Sequence, residues 1–184
     1  MNGSSSALTF TTSSIPPSYQ CFNLEELFGG NQSQQQRAGS RTGRSAGSSQ
    51  TFQVIDWVVY NAEPFDSGRN YSHISYLQRN VSEPEEGEDA TRLFEVFNGQ
   101  DCIATGSPDG GLYPWYGWTC QSPEDGSCSD AAYSIASFRV GSAEEISSRK
   151  GKCWDAAVEG AAMRNGRPSF GAVSAVLMAL ALLL

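Results

Sequence analysis

All four tryptophans of the chain, Trp57, Trp115, Trp118 and Trp154, fall between residues 51 and 162, along with most of the other aromatic residues. Large rings are what a small domain must bury, so these 112 residues are the part of the 184-residue chain best able to build a core. A length of this kind suits one domain with tails. Residues 1–50 hold eleven serines, with runs of Gln and Gly and few large apolar residues, and read as a low-complexity, disordered segment. The expected division is therefore a tail over 1–50, a folded domain over 51–159 and a distinct carboxyl-terminal segment over 160–184.

The middle region reads as short strands. Phe52 to Tyr60 is rich in β-branched and aromatic residues, Arg92 to Phe97 ends at the turn-forming pair Asn98-Gly99, and Tyr133 to Val140 alternates. Cys153 to Val158 is a fourth candidate, although Ala156 and Ala157 suit a helix equally well. Gly, Pro, Ser and Asp separate these segments, as at Ser107-Pro108-Asp109-Gly110-Gly111. The expected fold is mainly β: a small, disulfide-linked antiparallel sandwich or barrel.

Charge is distributed unevenly. The net charge of −8 divides into +1 for residues 1–50, −11 for 51–162 and +2 for 163–184. An acidic domain repels phosphate backbones, which argues against nucleic acid as a partner. The run Glu83-Pro84-Glu85-Glu86-Gly87-Glu88-Asp89 lacks EF-hand spacing and reads as a solvated loop.

Of five cysteines, Cys102, Cys120, Cys128 and Cys153 cluster in the middle region, and Cys21 stands apart. No Cys-x-x-Cys pair occurs and the one histidine is His73, so a zinc site is poorly supported. Two disulfides among the four clustered cysteines are expected, with three pairings open; buried thiols are the alternative. Asn-x-Ser triplets occur at Asn2, Asn31, Asn70 and Asn80. Asn31, Asn70 and Asn80 are candidate glycosylation sites, the latter two among polar neighbours typical of exposed turns.

The chain ends in GAVSAVLMALALLL, fourteen residues without a charge from Gly171 to Leu184. A largely polar spacer, Met163 to Phe170, precedes it, and the small residues Gly160-Ala161-Ala162 precede the spacer. Small triplet, spacer and apolar tail are the parts of a glycosylphosphatidylinositol (GPI) attachment signal in their required order, with Gly160 the expected lipid-bearing residue. A tail-anchor helix is one rival, but fifteen residues rise only about 22 Å against a hydrocarbon core of about 30 Å. A buried helix is another, but the run has no polar face. The amino end, MNGSSSALTFTTSSIPPSYQ, shows neither the basic region nor the apolar run of a secretory signal. The tether reading therefore expects a fragment or a misassigned start.

Phe94 to Cys102, Trp115-Tyr116-Gly117-Trp118-Thr119-Cys120, Ser134 to Val140 and Gly151-Lys152-Cys153-Trp154 together resemble small cysteine-containing secreted proteins of filamentous fungi, many of them GPI-anchored and without an assigned activity. The resemblance covers about residues 92–184. The same order is similar to a βγ-crystallin Greek-key unit. Ser129-Asp130-Ala131-Ala132-Tyr133-Ser134 departs from that family's calcium motif, so calcium is not implied.

Signatures of catalysis are sparse. No Gly-x-Ser-x-Gly, P-loop or Gly-x-Gly-x-x-Gly is present, and no cofactor is expected. His73 lies beside Ser72 and Ser75, and a lone histidine of this kind is usually a surface or packing residue. The segment Tyr113-Pro114-Trp115-Tyr116-Gly117-Trp118 supports two readings. As an exposed loop, the rings of Trp115, Tyr116 and Trp118 would stack on sugar faces while Asp109 or Gln121 supplied hydrogen bonds. Otherwise the rings fill the core. The expectation is a non-enzymatic protein tethered to the membrane through a GPI lipid at the cell surface or wall, with glycan as its candidate partner. The alternative is a secreted hydrolase acting on wall polysaccharide through paired carboxylates.

Overall fold

The computed structural model describes residues 7–29, 36–44, 51–62, 65–144 and 153–159. It is mainly β, as expected, and every strand pairing is antiparallel. Ten strands lie among the described residues: β1 (Thr9–Thr11), β2 (Gln20–Asn23), β3 (Gln36–Arg44), β4 (Thr51–Tyr60), β5 (His73–Tyr76), β6 (Asp89–Phe97), β7 (Trp115–Cys120), β8 (Ser127–Asp130), β9 (Ser137–Ser142) and β10 (Ala157–Glu159). A short helix, α1 (Leu24–Phe28), follows β2. The strands form a five-stranded sheet in the order β10-β7-β6-β9-β2, a three-stranded sheet in the order β1-β4-β3, and a β5-β8 ribbon.

Side-chain alternation explains how these layers close on one core. On β4, Ile55 and Val59 are buried and Trp57 is partly buried on the same face, while Asp56 and Tyr60 look outward. Ile74 and Tyr76 are the buried half of β5. From the five-stranded sheet, Phe22, Val96, Trp118, Phe138 and Val140 meet Ile55, Ile74 and Tyr76 in one cluster. Rings dominate it: Trp118 lies 5.7 Å from Tyr76 and 5.5 Å from Phe94. Strand β6 runs between β7 and β9 with both faces covered, so Leu93 and Glu95 are buried along with Val96.

Composition assigns residues 1–50 to disorder and starts the domain at 51, but the structure draws on more of the chain. Strand β1 pairs with the end of β4, β2 completes the five-stranded sheet against β9, and β3 pairs with β4 along nine residues. An edge strand needs backbone hydrogen bonds on one side only and few apolar residues. Phe10, Phe22, Leu24, Leu27 and Phe28 supply those few, each seated in or against the core.

The expected strands over 52–60 and 92–97 fall within β4 and β6. Of the stretch from Tyr133 to Val140, only Ser137 onward is strand, and of Cys153 to Val158 only the end enters β10. Asn98-Gly99 does not make a hairpin. The chain passes into a 3-10 turn at Gln100–Cys102 and then a long loop before β7. Asp101 and Cys102 both take positive φ, 56° and 57°. Asn23 and Ser137, both buried, hold them there, accepting from the Asp101 amide at 2.7 Å and the Cys102 amide at 2.9 Å.

The disulfides differ from the expected set. Cys21 bridges Cys102, and Cys120 bridges Cys153. Cys128 lies exposed on β8 outside both bridges. The reason is topological: β2 enters the sheet beside β9, which carries Cys21 to the 3-10 turn at Cys102, whereas β8 leaves the sheet for the ribbon.

Candidate functional site

The segment Trp115 to Trp118 is strand β7, second from the edge of the five-stranded sheet, and not a loop. Successive side chains therefore point to opposite faces. Register pairs Phe94 with Trp118 and Val96 with Tyr116, on the core face. Trp118 is 0% exposed, which removes it as a sugar contact. Tyr116 is half-buried, lies 5.7 Å from Tyr133, and its hydroxyl accepts from the Ala132 amide at 3.2 Å. Trp115 points to the opposite face from Tyr116, so the three expected rings cannot form one platform. Gln121 is also removed. It is buried, its Oε1 accepts from the Asn80 and Glu85 amides at 2.8 and 3.2 Å, and its Nε2 donates to the Glu83 carbonyl at 3.1 Å. Its role is to hold the acidic loop, whose glutamates are exposed. Asp109 is exposed in the turn after Ser107, apart from these rings in the sequence.

The face of the sheet that carries Trp115 brings together residues the sequence leaves apart. Glu95 on β6 is paired with Gly117 on one side and Arg139 on the other, and Arg139 is paired with Cys21. Directly paired residues share a face, so Trp115, Gly117, Glu95, Phe97, Arg139 and Cys21 lie on one surface. Arg139 Nε donates to Glu95 Oε2. The guanidinium carbon sits 4.4 Å from the Tyr19 ring centre and 5.3 Å from that of Phe97, both within cation–π range. Phe97 in turn stacks on Trp115 at 6.0 Å.

Two glycines seat the outer rings. A Cβ on Gly141 would run into the Tyr19 ring, and a Cβ on Gly117 would stand 3.1 Å from Trp154 Cε3. Glycine at these places lets a ring lie flat on the strand backbone. Tyr19, Arg139, Phe97 and Trp115 thus form an aromatic and cationic row, and Trp154 lies on the same face over Gly117. Tyr19 is 45% exposed, Trp115 and Trp154 are half-buried and Phe97 is buried beneath them; Trp115 Nε1 is itself enclosed, without a hydrogen-bond partner. The row runs from the β2 edge, tied by Cys21–Cys102, to the β10 edge, beside Cys120–Cys153.

Sequence inspection named Trp115 but missed Tyr19, Glu95, Arg139 and Trp154. Only Trp154 carried a signal, its position directly after Cys153.

His73 does acquire a partner. Its Nδ1 meets Asp130 Oδ1 across the ribbon, and Ser75 and Cys128 are the next pair on the same exposed side. The imidazole and carboxylate side chains are 87% and 73% exposed, so solvent screens the pair. Among the described residues, no group of three or more His, Cys, Asp or Glu is placed to hold a metal ion.

Asn70 is exposed and Asn80 is half-buried. Asn31, Gly160 and the apolar tail lie outside the described residues. Among the described residues no helix is long and apolar enough to cross a membrane. The two disulfides are consistent with an extracellular protein. No family model matches this chain, and no characterised protein or solved structure is significantly similar to it.

Proposed function

We propose that this chain is a non-enzymatic protein of the cell surface or wall, tethered through a lipid at Gly160, that binds glycan through Tyr19, Arg139, Trp115 and Trp154, packed over the buried Phe97. The observation that carries the reading is the row itself: Tyr19, Arg139, Phe97 and Trp115 in contact across one sheet, with Trp154 beside them over Gly117. Sugar rings present C–H faces to aromatic surfaces and hydroxyls to charged and N–H donors. The row offers both: Tyr19, Trp115 and Trp154 keep part of their ring surface open to solvent, and the Arg139 side chain, 26% exposed, is the donor. The bridges at its two edges suit a surface that must keep its shape outside the cell. The resemblance to small anchored fungal proteins agrees with the tether. A hydrolase is less well supported, because Glu95, the one carboxylate named on this face, is buried and engaged by Arg139.

The test is a glycan array with wild type, Trp115→Ala and Trp154→Ala. Wild type should bind a defined set of glycans and both variants should lose it. Identical profiles would remove the site, and turnover of wall polysaccharide abolished by one carboxylate replacement would restore the hydrolase. The tether is tested separately. Behind a working signal peptide in a eukaryotic host, phosphatidylinositol-specific phospholipase C should release protein lacking residues 161–184. Retention of Leu184 in the membrane would restore the tail anchor.

A further inference from the structure

The sequence treats Asn70 and Asn80 as equivalent acceptors; their surroundings differ. We infer that Asn70 carries an N-linked glycan and that Asn80 stays unmodified in the folded protein. This inference rests on the secretory reading above.

Asn70 stands at the end of an exposed turn. Residues 66–70 are all exposed, and the turn is closed from within. The Arg69 amide donates to the Asp66 carbonyl at 3.0 Å, and the Asp66 amide donates to the Tyr71 hydroxyl at 2.8 Å. The Tyr71 ring stacks on Phe65 at 5.5 Å, and the Tyr71 amide donates to Ser134 Oγ at 3.1 Å. Tyr71 is thereby held inward, and Asn70, its neighbour, is left outward. Among the described residues the Asn70 side chain makes no hydrogen bond that a glycan would disrupt. Ser72 supplies the hydroxyl two positions on.

Asn80 is built into the fold instead. Its amide N–H donates to Gln121 Oε1, and its Nδ2 donates to the Asp89 carbonyl at 3.1 Å. Its Oδ1 is enclosed without a partner. The acidic loop closes over this region through Gln121, which also binds the Glu85 amide and the Glu83 carbonyl. A sugar on Asn80 Nδ2 would replace one of its two hydrogens and need the volume this loop occupies. A chain modified there could not close the loop around Gln121.

In the reaction, Asn70 Nδ2 attacks the anomeric carbon of a polyprenyl-pyrophosphate-linked oligosaccharide. The nitrogen–carbon bond forms, the carbon–oxygen bond to pyrophosphate breaks, the pyrophosphate leaves with the electron pair, and the amide loses one proton.

The experiment uses the full chain behind a cleavable signal peptide in a eukaryotic host. Surface protein is collected with phospholipase, or from the membrane fraction if phospholipase does not release it. It is then deglycosylated by an amidase in heavy-oxygen water and mapped by mass. Each occupied asparagine becomes a labelled aspartate. We expect label at position 70 in most molecules and none at position 80. Asn70→Gln should lose the label at 70. Ser82→Ala, which destroys the second triplet while leaving the Asn80 amide in place, should change neither labelling nor surface yield. An unlabelled Asn70 or a labelled Asn80 in surface protein overturns the inference. Failure of phospholipase release counts against the lipid tether alone, because both positions are still read in the membrane fraction.

Discussion

Glu95 and Arg139 face each other across β6 and β9, the carboxylate side chain 1% exposed and the guanidinium side chain 26%. A buried charge is tolerable only with its partner, so removing one member costs more than removing both. Arg139→Met should destabilise the domain by about 3 kcal/mol in urea unfolding. The double variant Glu95→Gln/Arg139→Met should recover a large part of that loss. Equal losses in single and double variants would mean that the pair is not coupled.

The two bridges should not contribute equally. Cys21–Cys102 spans 81 residues and Cys120–Cys153 spans 33. Chain-entropy reasoning gives about 4.5 and about 3.7 kcal/mol respectively. Replacing Cys21 and Cys102 by Ser should therefore lower the unfolding midpoint more than replacing Cys120 and Cys153. Alkylation of the unreduced, unfolded protein should leave Cys21, Cys102, Cys120 and Cys153 unmarked. Label on Cys21 would show that the amino-terminal strand is not anchored as described.

What the sequence discloses follows from how local each constraint is. Strand β4 is legible because Ile55, Trp57 and Val59 alternate with outward residues, a pattern fixed within one stretch. Strand β7 is not. With Trp118 in the core and Thr119 fully buried on the opposite face, the strand's second half is buried on both sides and no alternation survives, while Pro114 and Gly117 imitate a loop. Gly117 is there for Trp154, a contact between distant residues that composition cannot reveal. Cys21 illustrates the same point: it looks isolated in a serine-rich stretch, and only the pairing of β2 with β9 brings it to Cys102. The candidate face was legible at Trp115 alone, because its other members come from β6, β9 and the segments before β2 and β10.

Alkali should unfold the domain through its tyrosines. Burial raises the pKa of Tyr76 and of Tyr133 above the ordinary value of 10.0. Their hydroxyls donate to the Cys120 and Val96 carbonyls at 3.2 and 3.0 Å. Below pH 10 both states keep the phenol proton and stability is unaffected. Above it the unfolded chain releases protons that the folded chain retains, so stability falls as pH rises. The loss approaches about 1.4 kcal/mol per pH unit for each tyrosine. Tyr76→Phe should flatten the alkaline limb in urea titrations at successive pH values. An unchanged slope would show that Tyr76 ionises as readily folded as unfolded.

The proposed binding face and the core can be separated through their aromatic residues, because β7 presents one tryptophan to each side. Trp118→Ala removes a fully buried ring that contacts Tyr76 and Phe94, and should cost about 3–5 kcal/mol. Any binding lost in that variant is lost through unfolding. Tyr19→Ala removes a ring nearly half exposed to solvent and should cost far less. Gly141→Ala is the more informative change, since it leaves Tyr19 in the sequence but places a methyl group where its ring lies on β9. The ring must swing outward, away from Arg139, and the row is broken at one end. Unfolding and array binding measured together should show Trp118→Ala weakly stable, and Tyr19→Ala and Gly141→Ala nearly as stable as wild type but defective for the glycans that wild type binds. If Gly141→Ala keeps full binding while its tyrosine fluorescence and exposure show a displaced ring, Tyr19 is not part of the site and the contact surface contracts to Trp115 and Trp154.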